Sequence, residues 1–396
     1  MPTVETRGRS RPTIASVGAP LVDVAVVGAG VTGLSSAWHL AERGVTRIVV
    51  YERTGIGAGA SGVQPGGVRQ QWGTRVNCLL ARRSLAFYRE LRERLRPRLD
   101  PVYRACGYLF LAHDPATLAG LRRDVALQNG LGVPSRILTP AEAAAVVPDL
   151  ATESLLGASW CAEDGYFDRP QTVVEAFAEA ARRLGVEIAF AEATAVERRR
   201  GGWRLRFRDG AVVDAGAVVL AAGADTPDLV RPLGVELPIE PEARHLFYSD
   251  PIAQRLLEPL VVAPDHRFAA KQLADGRVLA SDLSATGDPA PGRERWRAAT
   301  RSAIEALLPR LQHVALPHLV SGTYDVTPDR QAIVGPVEDG LVVAAGFSGH
   351  GFMIAPEIGR AVAEVVSGGP ADPLLGELRP DRFERGGELA PETRVV

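Results

Sequence analysis

Residues 22–53 read VDVAVVGAGVTGLSSAWHLAERGVTRIVVYER, and the succession of residue types in this run decides the fold. VDVAVV is short and rich in valine, the pattern of a strand buried on both faces. The next segment, VTGLSSAWHLAER (31–43), places apolar groups at helical spacing, Gly44 closes the helix, and RIVVYER (47–53) predicts a second buried strand. The unit is therefore βαβ, in a parallel sheet. Gly28, Gly30 and Gly33 form a GxGxxG turn between the first strand and the helix, with Val31 and Thr32 opening the helix. Gly28 permits the tight turn, Gly30 lets a pyrophosphate approach the backbone, and Gly33 allows close helix–strand packing. The helix start supplies N–H groups and a favourable dipole. Glu52 ends the second strand, with Arg53 after it, where an acid accepts hydrogen bonds from an adenosine ribose and disfavours a 2′-phosphate. A bare βα turn without ligand is the simpler alternative.

Immediately downstream, GIGAGASGVQPGGVRQQWG (55–73) contains seven glycines and no regular periodicity. So bare a stretch lets a bulky cofactor lie along the backbone, which favours FAD over NAD. Its Arg69, Gln70 and Gln71 can donate to ring oxygens or to a substrate carboxylate. A glycine-rich surface loop is the alternative here.

At 396 residues the chain is long enough for two or three domains. With 46% hydrophobic and 23% charged residues it reads as globular, and a net charge of −2 gives no electrostatic case for nucleic acid. Lys271 is the single lysine among 45 Lys and Arg, either a chance surface residue or a position where arginine does not serve. Cys78, Cys106 and Cys161 form no CxxC pair, so no metal site is indicated and a reducing cytoplasm fits. No apolar stretch reaches membrane-spanning length. A helix at 77–95, a second helix at 171–185, a hairpin through 194–213 and buried strands at 217–223 and 341–346 continue the α/β rhythm. Short alternating runs over 236–320 predict an antiparallel sheet. A further helix is predicted over about 354–366, and Gly- and Pro-rich composition at 367–396 predicts a weakly ordered end.

GAGVTGLSSAWHL, AGASGVQPGGVRQQWG, AVVLAAGA and the block TYDVTPDRQAIVGPVEDGLVVAAGFSGHGFM together resemble the D-amino-acid oxidase superfamily of flavoproteins. The likeness is to its branch of sarcosine oxidases, sarcosine and dimethylglycine dehydrogenases and amino-acid dehydrogenase beta subunits. It implies an α/β fold, a discontinuous Rossmann-like FAD-binding domain plus a mostly antiparallel α+β substrate domain. The expected segments are 21–95, 150–235 and 321–375 for FAD, and 96–149 and 236–320 for substrate. Residues 1–20 are expected as a disordered tail and 376–396 as a C-terminal tail.

For the cofactor, the resemblance adds Ala60, Ser61, Gly66, Gly67 and Val68 of the glycine-rich loop, Val196 near the adenine, and Ala222 with Gly223. It also adds Gly346, Phe347, Gly349, His350, Gly351, Phe352 and Met353 against the flavin ring. Sarcosine oxidases that tether FAD do so through a Cys where this chain has Gly322, and dimethylglycine dehydrogenases through a His in the loop, absent from SGVQPGG (61–67). Noncovalent FAD is expected. Met353 replaces a carboxylate-binding Lys and Trp72 a second Arg, which argues against sarcosine itself. Lys271, Tyr324, His350 and Arg69 are the expected catalytic-site groups, with Arg244 and His245 behind them.

The implied activity is oxidation of the CH–NH bond of a secondary or N-alkylated amino acid, or a cyclic imino acid, to an imine that hydrolyses. O2 or another acceptor would take the electrons, and a partner subunit or homo-oligomer is compatible with the branch. The alternatives are a primary amino acid or a non-acidic amine as substrate, and a non-catalytic or assembly-factor flavoprotein of the same fold.

Overall fold

The structure is a computed structural model that describes residues 22–384 and 390–395. The expected tail 1–20 lies outside the described residues. Strands Val22–Val27 and Ile48–Glu52 pair in parallel around the helix Val31–Glu42. The valine-rich run therefore does form a βαβ unit, because both strands are covered and no polar face is needed.

This unit is the centre of an eight-stranded sheet. Val22–Val27 pairs on its other side with Val212–Leu220, which in turn carries Leu341–Ala345 in parallel and the hairpin Ala193–Arg199/Gly202–Phe207 antiparallel. Glu187–Phe190 closes the far edge beside Ile48–Glu52. Helix Gly351–Val366 lies against Val31–Glu42, and the two approach closely because Gly359 has no side chain. A Cβ there would sit 2.2 Å from Ser35 Oγ. That helix begins at Gly351, three residues before the sequence expectation, which makes His350 its N-cap residue.

A second eight-stranded sheet runs in the order His318–Val326, Glu240–Tyr248, Val278–Asp282, Phe268–Gln272, Leu260–Ala263, Tyr108–Ala112, Gly157–Cys161, Arg136–Leu138. All its pairs are antiparallel except Leu260–Ala263 with Tyr108–Ala112. Strand Gly157–Cys161 is thus hydrogen-bonded into this sheet although it falls within 150–235, and His318–Val326 crosses position 321.

Pleating gives the sheet two faces. His245, Phe247, Phe268, Ala270 and Ala280 point to the outer face, where Trp296 and Ile304 cover them. Those two residues belong to the helix Pro289–Leu307, which the expectation of short alternating strands through 236–320 overlooked. Tyr324, Arg244, Leu246, Leu279 and Lys271 alternate to the inner face.

The predicted weak order at 367–396 is also corrected for the described part. Glu392 is 3% exposed and accepts from Gly73 N (2.9 Å), Thr74 N (3.2 Å), Thr74 Oγ1 (2.8 Å) and Asn77 Nδ2 (3.1 Å). A carboxylate so supplied with donors anchors the segment despite its Gly- and Pro-rich neighbours. Among the described residues no helix is long and apolar enough to cross a membrane.

Candidate active site

The glycine turn has the geometry its spacing predicts. Gly28 has φ +105°, and a Cβ on it would lie 2.4 Å from Ala221 O; one on Gly33 would lie 2.1 Å from Gly28 O. Both positions are closed to any side chain. Ala29 N donates to Glu52 Oε2 (2.9 Å), which brings the acid to the turn, and Arg53 pairs with Asp225 (2.7 Å) just after Ala222 and Gly223. Val31 N donates to Ser61 Oγ (3.1 Å), so the loop helix Ala60–Val63 folds over the start of helix Val31–Glu42. Its N-cap residue, Gly30, has no side chain to cap it and its first turn carries no acid, so beyond the Ser61 contact its dipole is left to a ligand anion. Thr32 is buried there. Val196 packs its side chain wholly into the core, so only its backbone can serve an adenine.

At the other end, the strand His318–Val326 and the turn after Leu341–Ala345 lock together. Gly346 N donates to Asp325 Oδ2 (2.7 Å), Ser348 N to Asp325 O (3.0 Å), and Thr327 N to Ser348 Oγ (3.2 Å). Burial pushes the Asp325 carboxyl up to about 6. The Tyr324 ring presses on Gly349, where a Cβ would stand 2.2 Å from it. Phe347 and Phe352 are buried, and Phe352 O accepts from Tyr88 Oη. The strand Gly67–Val68 follows Gly66, whose φ of +82° lets the chain turn under Phe167 O.

Arg69 is not among the residues that line the cavity. It is 1% exposed, lies 3.6 Å over the Trp72 ring, and donates to the carbonyls of Gln71 and Arg394. Those carbonyls draw its guanidinium inward. Gln70 and Gln71 are likewise engaged, with Gln70 N and Gln71 Nε2 on the buried Asp164 (2.9 and 3.1 Å). His350 is also 1% exposed, 4.8 Å from the Trp72 ring, and burial lowers its pKa to about 4, so the imidazole is neutral.

A cavity with about 1090 Å³ of empty space, counting its mouth, opens between the inner face of the second sheet and these two glycine-rich segments. Arg244, Lys271, Tyr324 and Tyr108 line it together with Gly67, Gly349, Phe352 and Met353. Tyr108 is a residue the sequence did not single out; its Oη would be 2.3 Å from a Cβ on Gly67. Lys271 Nζ donates to Pro65 O and sits 4.0 Å over the Tyr166 ring, and burial lowers its pKa to about 7. His245 points to the opposite face, stacked on Trp296 at 4.5 Å and hydrogen-bonded to Ser321 Oγ and Gly287 O, both at 2.8 Å.

The residues fit a flavin dinucleotide. Besides the open helix start, Arg69 Nε and both ring nitrogens of His350 are shut off from solvent without a partner among the described residues. Buried polar atoms left in this way point to a polar group that arrives with a ligand.

A βαβ turn of this kind beside a covered cavity defines a dinucleotide-binding oxidoreductase. Residues 23–365 match the model of the FAD dependent oxidoreductase family, DAO, and the chain belongs to that family. Its cofactor is accordingly FAD rather than NAD. It is 30% identical to glycine oxidase of Geobacillus kaustophilus, over 87% of this chain and 92% of that one. Sarcosine oxidase subunit beta of Rhodobacter capsulatus is 26% identical over 92% and 89% of the two chains. Among solved structures, L-proline dehydrogenase from P. horikoshii superposes with a TM-score of 0.85 at 28% identity, covering 92% of this chain and 98% of that one.

Proposed function

We propose that the chain oxidises the CH–NH bond of a secondary or N-alkylated amino acid, or of a cyclic imino acid, to an imine that hydrolyses in water. One observation carries the reading: Arg244, Lys271 and Tyr324 converge from three strands on a cavity whose other wall includes Gly67, Gly349, Phe352 and Met353. Relatives named for glycine, sarcosine and proline support an amino acid or amine as donor.

FAD, when bound, supplies the two-electron acceptor. The chain's own residues bind and orient the donor and exclude water around it. No strong base is needed: a substrate delivered as its neutral amine already carries the lone pair the reaction uses. Lys271, with a pKa lowered to about 7, is only about half protonated near neutral pH and so opposes an incoming ammonium less than an ordinary lysine would. FAD is held noncovalently in this reading, since among the described residues the cavity lining contains no cysteine and its one histidine, His245, is engaged on the outer face.

An anaerobic screen of amines and amino acids, followed by bleaching of the bound flavin near 450 nm (roughly, as for flavins in general), tests the reading. Bleaching by N-alkylated or cyclic amino acids is expected. If no amine bleaches the flavin, amine oxidation is wrong. Admitting air to the reduced protein then separates an oxidase from a dehydrogenase by the rate at which colour returns.

A further inference from the structure

Resting on that reading, we propose that the cavity selects amino acids bearing a bulky apolar side chain, with the substrate carboxylate held by Arg244. Four charged or ionisable residues besides the tyrosines border the cavity: Arg244, His245, Lys271 and Asp282. Three of them are occupied elsewhere. His245 bonds Ser321 and Gly287 on the outer face, Lys271 Nζ is on Pro65 O, and Asp282 Oδ1 accepts from Ser284 N (2.9 Å) and Ser284 Oγ (2.7 Å).

Arg244 is different. Nη1 donates to Leu283 O (2.6 Å), Nη2 pairs with Glu242 (2.6 Å), and the guanidinium stands 5.5 Å from the Tyr324 ring centre. Its Nε is buried and has no acceptor among the described residues. A guanidinium pinned at two corners with a third, buried donor left unpaired can give that donor to an oxygen of a carboxylate. The adjacent Glu242 cancels much of its net charge, so a small acid gains little from attraction alone.

The rest of the binding must come from apolar contact, and the register of the sheet provides it. Leu246 pairs with Val320 on the strand next to it, and Leu279 faces Lys271 across the following pair. With Leu260, Leu283 and Val63 they form an apolar wall, while Gly322 and Ala269 keep the space open. Sarcosine and glycine have no group to place on that wall. In a hydrophobic pocket each added methylene changes selection by about tenfold or more.

Ligand binding to the FAD-loaded protein tests the assignment without turnover. In calorimetry, with the visible flavin spectrum as a second signal, 4-methylpentanoate should bind at least tenfold tighter than acetate. Arg244→Met should weaken 4-methylpentanoate at least tenfold and leave 4-methylpentanamide within about threefold, and Leu279→Ala should shrink the preference over acetate severalfold. Equal binding of the two acids, or an Arg244→Met variant that binds both the acid and the amide as the parent does, overturns the proposal. Should Arg244→Met not fold, Leu279→Ala and the ligand pair in the parent protein still decide it. In turnover, N-methylleucine should reduce the flavin at least tenfold more efficiently than sarcosine. Faster reduction by sarcosine overturns the pocket assignment but leaves amine oxidation intact, whereas retained acid selectivity with no bleaching by any amine leaves the pocket and removes the chemistry.

Discussion

In the nucleotide half, the turn, the helix start and the acid that meets them all come from residues 22–53, and the contacts are made chiefly by backbone N–H groups and glycine Cα atoms. In the cavity half, Tyr324, Arg244, Lys271 and Tyr108 come from four separate strands and act through side chains on one pleated face. The first arrangement has no slack, because a backbone that must approach within contact distance cannot absorb even a methyl. The second is graded, because side chains on a sheet face can be shortened or exchanged one at a time.

That contrast is most easily broken at Gly33. Gly33→Val would place atoms inside Gly28 O, and the protein is expected to purify without flavin, read as the ratio of absorbance at 450 and 280 nm (roughly, flavin against protein bands). Retention of half the flavin would show that the turn has slack after all. The next largest effect is expected at Glu392, where Glu392→Ala leaves several buried donors unpaired and removes an anion near Arg69. A loss of about 3 kcal/mol is expected, seen by calorimetry as a fall of several degrees in Tm. An unchanged Tm would mean the segment is ornamental.

Lys271 sharpens the comparison through pH. Its folded pKa is lowered to about 7 while an unfolded lysine holds its proton to about 10.4, so between those values the unfolded chain binds more protons and stability rises with pH. The parent protein should therefore gain on the order of 1–3 kcal/mol from pH 7 to 9 relative to Lys271→Met, measured by denaturant titration at each pH. Parallel curves would place the ammonium in a wetter site. Smallest is Gly322→Ala, whose methyl would lie 2.8 Å from Val63 Cγ2, a side chain able to move. Stability should change by less than about 1 kcal/mol, and KM for a bulky substrate should rise about two- to fivefold.

The same contrast governs what could be read from the residues alone. Strands, helix, glycines and Glu52 were legible because their spacing is local and their chemistry periodic. Helix Pro289–Leu307 was not, since PAPG at its start resembles a loop, although Trp296, Thr300, Ala303, Ile304 and Leu307 recur at helical intervals and carried the signal. Arg244 and His245 could be named together but not told apart, because pleating assigns Arg244 to the inner face and His245 to the outer, and that requires the register with His318–Val326. Arg69 was placed near the flavin by resemblance, yet its hydrogen-bond partners lie in Gln71 and in Arg394. Nothing in the run ELAPETRVV announces a buried carboxylate, since its donors at Gly73, Thr74 and Asn77 are far away in sequence.

The docking of Arg394 on Arg69 spans 325 residues, and this sets an order of events during synthesis. A ribosome adding about 5–20 residues per second leaves Arg69 without that carbonyl for roughly 15–65 seconds after it emerges. The glycine turn at 28–33 can form early, but the hydrogen bonding of Arg69 stays incomplete until residue 394 has been made. Nascent chains that stop short of residue 394 should hold FAD more loosely than chains that contain it.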